Sequence, residues 1–309
     1  MHVIDEKEHL LQLLNRWYSL PFDGLTFLRD GGSRSFQANT GSKPYFLRVT
    51  KPAFADTASQ SVDVHVYLQN QGFPVPRLVL TQDHAPYVEV CDVTGTRLLV
   101  LYEYMQSQEV DPAQDAEEIG DLTGRFHTLM ERYDGPLVRH GHWFFLDRYL
   151  EILRRKQYPN AEQFAAYGYA LWERLRALPA GPCHGDLYSG NIQKDAEGRL
   201  YLLDFDTVCE GFRMYDIALI CNRTDFFTFH ESRFQESKEV FDRFLPRYLA
   251  QHPLSSDEIR SFYDWIALYH FALQATIIEI NGLDCVDDTF LDNQLRWLEQ
   301  WRKQCENHA

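Results

Sequence analysis

One stretch of the chain constrains its fold more than any other: Pro182-Cys183-His184-Gly185-Asp186-Leu187-Tyr188-Ser189-Gly190-Asn191-Ile192, followed shortly by Leu200-Tyr201-Leu202-Leu203-Asp204-Phe205-Asp206. Its form is H-x-D-x-x-x-x-N, with an Asp thirteen residues beyond the Asn at the end of an apolar run. Residues 181–211 read as loop, strand, turn at Glu197-Gly198 and strand, inside a region that is otherwise helical in pattern. A hairpin from Gln193 to Leu203 brings Asp204 back beside Asn191, and Asn191 stands only five positions after Asp186. Such a chain must mix α and β, and it must present hard oxygen groups from two carboxylates and a carboxamide on one side of a loop.

That donor set suits phosphoryl transfer. The reaction asks little covalent chemistry of a protein; it needs a carboxylate facing the acceptor hydroxyl and oxygen ligands for Mg²⁺ on the phosphates. Asp186 is the candidate base, and Asn191 and Asp204 are the candidate metal ligands. An Asx-rich turn would also use Asp and Asn, but it would not require the apolar strand ending in Asp204.

Around this segment the texture falls into two parts. Residues 5–18 read as an amphipathic helix, and short strands at residues 24–28, 35–38, 45–49, 87–90 and 98–104 surround a helix at 57–70 that stops at Gly72. Beyond Tyr104 the pattern turns to helices over 115–132, 145–153, 161–178, 233–249, 257–280 and 292–304. The expected domains are therefore 1–104 and 105–309.

Charge narrows the partners. The 309 residues carry a net charge of −15 with no Lys/Arg cluster beyond Arg154-Arg155-Lys156, which argues against nucleic acid. Residues 1–100 hold 10 acidic and 9 basic side chains, so nearly all the excess acid lies in the later part. The most apolar long segment, 265–280, carries His270, Gln274 and Glu279, too short and polar for a membrane span. The N-terminus lacks signal-peptide order, and six scattered cysteines show no C-x-x-C pair; both suggest a cytoplasmic protein with reduced thiols.

The 182–206 segment resembles the catalytic loop of the aminoglycoside phosphotransferase and choline kinase superfamily. The resemblance covers most of the chain, since Gly72-Phe73-Pro74-Val75-Pro76, Gly124-Arg125-Phe126-His127-Thr128-Leu129 and Arg213-Met214-Tyr215-Asp216-Ile217-Ala218 are similar to family segments and stand in the same order. The layout is similar to the bacterial stress-response and homoserine kinase-like members. What the resemblance implies is an α+β, two-lobed protein-kinase-like fold, with a nucleotide-binding lobe over 1–104 and a catalytic, acceptor-binding lobe over 105–309. It implies transfer of the γ-phosphoryl group of ATP, with Mg²⁺, to a hydroxyl. In that family frame Asp186 is the base, Asn191 and Asp204 bind metal, and His184 and Asp216 brace the loop.

In the first lobe the family's phosphate-covering hairpin corresponds to Asp30-Gly31-Gly32-Ser33-Arg34, where Gly31, Gly32 and Ser33 would approach phosphate oxygens. The strand position that usually carries Lys holds Arg48, a forked donor that can also bind phosphate. Its acidic partner on the next helix is expected to be Asp63, and Glu103 and Met105 fall in the hinge that would meet the adenine edge. Gly185 after the loop His, where protein kinases have Arg, and the 12-residue interval from Asp204 to Asp216 favour a small-molecule acceptor. A compact Ser/Thr protein kinase and a nucleotide-binding pseudokinase, the latter suggested by Arg48, are the alternatives.

Acidic residues suggest a cationic acceptor: Asp206, Glu279 and Asp284 are candidate pocket residues, with Asp287, Asp288 and Asp292 nearby in sequence. His140-Gly141-His142 lacks a third metal ligand and reads as a loop. Trp143-Phe144-Phe145 and Phe226-Phe227-Thr228-Phe229 read as core packing ahead of an ammonium-binding box.

Overall fold

Leu10 and Leu14 lie one helical turn apart and are both buried, so the opening segment forms α1 (Val3–Trp17) with one apolar stripe. The computed structural model describes residues 3–41, 43–52, 55–93 and 95–308. Their contacts form two units. One comprises Met1–Glu109, Tyr133–Pro136 and Asn191–Thr207; the other comprises Val110–Arg132, Leu137–Gly190 and Val208–Ala309. The segment carrying Asn191, Asp204 and Asp206 thus groups with the first unit rather than with its sequence neighbours.

In the first unit, β1 (Gly24–Asp30), β2 (Ser33–Thr40), β3 (Lys43–Thr50), α2 (Ala55–Asn70), β4 (Val88–Asp92) and β5 (Gly95–Glu103) follow α1. The strands make an antiparallel sheet in the order β1-β2-β3-β5-β4. Period-2 alternation on β5 explains why it reads as a continuous apolar run. Leu99 and Leu101 join the α1-side cluster with Phe36, Tyr45, Leu47 and Val49, while Leu98, Val100 and Tyr102 join Ala58 and Val62 of α2 on the other face.

β6 (Ser107–Glu109) precedes α3 (Pro112–Met130), which Asp111 caps by accepting from the Ala113 amide at 3.0 Å, with Pro112 at the first turn. Next come β7 (Val138–Arg139), a π-helical turn over Trp143–Asp147, α4 (Arg148–Arg155), α5 (Ala161–Leu175) and β8 (Ala180–Cys183). β9 (Ile192–Asp195) and β10 (Leu200–Leu202) form the expected hairpin, and β6 adds to β9. β11 (Cys209–Phe212), α6 (Arg213–Cys221), α7 (Ser232–Leu249), α8 (Ser256–Arg260), α9 (Phe262–Asn281) and α10 (Asp288–His308) complete the chain. The single helix read at 257–280 is two: a Ser255/Glu258 capping box starts α8, and Ser261 separates it from α9.

In the second unit α3 packs on α7 almost backbone to backbone. A Cβ on Gly120 would lie 2.4 Å from the Phe244 carbonyl, and one on Gly124 would lie 2.8 Å from that of Tyr248. Only glycine permits that approach, and it seats His127, on the next turn of α3, beside Tyr248. Among the described residues no helix is long and apolar enough to cross a membrane.

Candidate active site

In the first unit, alternation along β3 sends Tyr45, Leu47 and Val49 into the α1 cluster and turns Phe46 and Arg48 toward the α2 side. Arg48 is largely buried; its Nε donates to Ser33 Oγ at 2.7 Å and its Nη2 donates to Asp206 Oδ2. The Ser33 side chain is therefore engaged by Arg48, while Gly31 and Gly32 are exposed at the tip of the β1–β2 turn. The second Asp206 oxygen, Oδ1, is buried without a partner.

The expected Arg48–Asp63 pair is corrected by the structure: Asp63 is exposed, and the acid on Arg48 is Asp206. Helical geometry supplies the reason. Ala58, Val62 and His65 share the sheet-facing stripe of α2, and Asp63 is rotated off it by about 100° from Val62. His65 takes the inward place, donating from Nε2 to the Pro76 carbonyl at 2.7 Å, with its ring 5.1 Å from Tyr102 and 5.6 Å from Phe205.

Burial, with the Arg48 charge adding to it, lowers His65 to about 4. Burial likewise lowers His270, stacked on Trp297 at 4.6 Å, to about 3. Both are neutral in the folded chain at pH 5–7, whereas the unfolded chain takes up protons below about pH 6.5. Stability is therefore fully present above that pH and falls as pH drops toward the folded values. Between pH 7 and 5 the expected loss is on the order of 2 kcal/mol per histidine, read as a falling Tm. A His65→Gln variant, which keeps a donor for Pro76, should show a shallower slope.

Asn191 is buried, and its carbonyl accepts from the Leu203 amide at 2.9 Å, so the β9–β10 hairpin sets Asn191 against the residue before Asp204. Asp204 is exposed and has φ +60°, a left-handed conformation unusual for a non-glycine residue. Among the described residues no group of three or more His, Cys, Asp or Glu could hold a metal ion. Two hard oxygen side chains with an unpartnered carboxylate oxygen on Asp206 nevertheless fit Mg²⁺, which usually takes one or two protein carboxylates and fills its remaining positions from phosphates and water.

Of the hinge residues, Glu103 donates its amide N–H to the Arg77 carbonyl at 2.8 Å, and its carboxylate accepts from Lys43 Nζ at 3.3 Å. Met105 lies in the irregular stretch after β5.

The second unit carries the loop that follows β8. β8 pairs with β11 in antiparallel register, and α6 begins directly after β11. Asp216, in the first turn of α6, is fully buried; it accepts from the His184 amide at 2.6 Å, the Gly185 amide at 2.9 Å and His127 Nε2 at 3.0 Å. His127 Nδ1 in turn lies 2.7 Å from the Tyr248 hydroxyl, within hydrogen-bond distance. The N-terminal end of α6 favours the carboxylate charge. Gly185 has φ +83°, so the turn into Asp186 requires glycine. Asp186 is half-buried, and its charge contributes to the raised pKa values of Tyr215 and Tyr269, for which burial is the larger cause.

His127 and Tyr248 were not singled out as site residues by sequence reasoning. His127 stands within a family-like segment, but nothing in that segment signals a contact with Asp216 89 residues later.

Several of the acidic residues expected at an acceptor pocket have partners within the fold. Asp206 belongs to Arg48. Glu279 pairs with Arg148 at 2.8 Å, Asp292 accepts from Tyr158 at 2.5 Å, Asp287 caps α10 through the Phe290 amide at 2.8 Å, and Asp284 is exposed on a short 3₁₀ turn. Most of these charges are already satisfied inside the fold. The His140-Gly141-His142 segment contributes a ring stacked on Phe144 at 3.6 Å and a His142–Asp147 contact at 2.6 Å.

The sequence profile described as the phosphotransferase enzyme family matches residues 24–254. An uncharacterized protein of Deinococcus radiodurans is 25% identical over 98% of this chain and 92% of its own. A homoserine kinase of Pseudomonas aeruginosa is 28% identical over 51% of this chain and 52% of its own. An amicoumacin kinase solved in complex with AMP-PNP, Ca²⁺ and Ami superposes with TM-score 0.75 at 19% identity, covering 98% of this chain and 96% of that one. The expected α+β, protein-kinase-like fold is thereby shown.

Proposed function

The chain belongs to the phosphotransferase enzyme family, and from that premise we propose that it transfers the γ-phosphoryl group of ATP to a hydroxyl of a small molecule. The observation that carries the reading is the buried Asp216, which grips the His184 and Gly185 amides and so sets the backbone immediately before Asp186. In this reading Asp186 accepts the proton of the acceptor hydroxyl as its oxygen bonds to the γ-phosphorus, while the bond from that phosphorus to the β–γ bridging oxygen breaks and ADP leaves. Arg48 binds phosphate oxygens, and Asn191 and Asp204 would hold Mg²⁺. The ion supplies charge neutralisation on the phosphates when bound.

Homoserine, the substrate named for the Pseudomonas relative, is a hydroxy amino acid, and it places small hydroxyl compounds that also carry an amino group first among candidate acceptors. Because Glu279, Asp287 and Asp292 are engaged within the fold, they do not argue for a cationic acceptor. The test is a Mg·ATP consumption screen over homoserine, amino alcohols, aminoglycosides, sugars and a generic protein. Phosphate transfer to one small hydroxyl compound is the expected result. Transfer only to protein would support a Ser/Thr kinase. Nucleotide-induced stabilisation with no transfer to any acceptor would support the pseudokinase reading that Arg48 suggests.

A further inference from the structure

Among the described side chains, the acid that holds Arg48 is not on α2: Asp63 is exposed, and the ion pair is with Asp206. Ala58, Val62 and His65 are among the buried residues of α2, and the Nε2 proton of His65 is committed to the Pro76 carbonyl. The grip comes from elsewhere in the first unit. Ser33, at the start of β2, accepts from Nε, and Asp206, in the short 3₁₀ turn Phe205–Thr207 after β10, accepts from Nη2.

We infer that Asp206 is the positioning residue of Arg48, and that it keeps the guanidinium turned away from Asp204 so that both stay available to a nucleotide and its metal ion. The inference rests on the ATP reading above.

Three features support it. Asp204 and Asp206 are two residues apart around Phe205, whose buried ring packs 5.6 Å from His65, so one anchored turn fixes both carboxylates. Arg48 also lies within electrostatic reach of Asp204, and without Asp206 that carboxylate is the next anion available to it. A guanidinium drawn onto Asp204 would remove a phosphate ligand and cover a metal ligand at once. Finally, the Asp204 backbone lies in a left-handed conformation at φ +60°, uncommon for a non-glycine residue although Asp adopts it more readily than most, which marks the turn as a defined local geometry. A helix-borne acid would make the position of Arg48 follow α2; Asp206 ties it to the turn that bears Asp204.

Calorimetric titration of the full chain with AMP-PNP, with and without Mg²⁺, tests this directly and needs no acceptor. Asp206→Ala should weaken Mg·AMP-PNP binding about tenfold to a hundredfold, the range for losing a hydrogen bond to a charged group. It should also raise the Mg²⁺ concentration needed for half-maximal binding. Asp206→Glu should restore affinity to within about threefold, and Ser33→Ala, which cuts the other grip, should weaken binding in the same direction by less. Wild-type-like or tighter binding by Asp206→Ala would overturn the inference. So would a fall in affinity that tracks a fall in the ligand-free Tm and is not rescued by Glu, since that describes a structural residue. If the wild-type chain binds no Mg·AMP-PNP, the ATP reading itself fails and the inference falls with it.

Discussion

Asp186→Asn is expected to lower phosphoryl transfer by about 10²–10⁴-fold while leaving the fold and nucleotide binding in place. The substitution keeps side-chain volume and one acceptor oxygen but removes the carboxylate that would take the hydroxyl proton. Asp186 is only half-buried, and Asp216 holds the loop preceding it through the His184 and Gly185 amides. The far-UV spectrum, the Tm and the Kd for Mg·AMP-PNP should therefore stay near wild type. The loss should appear in kcat with little change in the nucleotide KM, because the missing interaction operates on the proton in flight and not on the bound nucleotide. Turnover within tenfold of wild type would remove Asp186 as the base and move attention to other groups of the second unit.

Legibility in the sequence followed the range of the interactions. Elements held by near neighbours were readable. The Leu10/Leu14 stripe marked α1, the Glu197-Gly198 turn marked the β9–β10 hairpin, and the H-x-D-x-x-x-x-N spacing marked the loop after β8. Interactions between distant segments were not. Arg48 was readable as a cation on a buried strand, but its partner Asp206 lies 158 residues away, so the nearer acid, Asp63, stood in for it. One helical position decided that case, because α2 turns His65 inward and Asp63 outward. The acidic residues near α10 failed for a related reason. A count of charges does not show which of them are spent on Arg148, Tyr158 or a helix N-terminus. His127 and Tyr248 escaped notice because their role depends on how closely α3 meets α7, which Gly120 and Gly124 allow without announcing it.

Asp216→Ala is expected to have the largest effect on stability. The carboxylate is 0% exposed and accepts three hydrogen bonds, two of them from consecutive backbone amides. Alanine would leave the His184 and Gly185 N–H groups and the His127 Nε2 proton without that acceptor. Burying the charge has its own cost, so the three bonds do not simply add. Removing one partner of a buried, fully bonded carboxylate typically costs about 3–5 kcal/mol, equivalent in a chain of this size to a Tm lower by roughly 5–8 °C. Asp216→Asn should cost less, since its oxygen can still accept, but its amide group must then face at least one N–H donor. The loop should also lose protection, with amide exchange at His184 and Gly185 faster than in β8 itself. Because those amides set the chain direction into Asp186, the Ala variant should lose transfer activity beyond what its folded fraction explains. A variant with Tm within about 2 °C of wild type and unchanged exchange at these two amides would show that the catalytic-loop backbone is held by something other than Asp216.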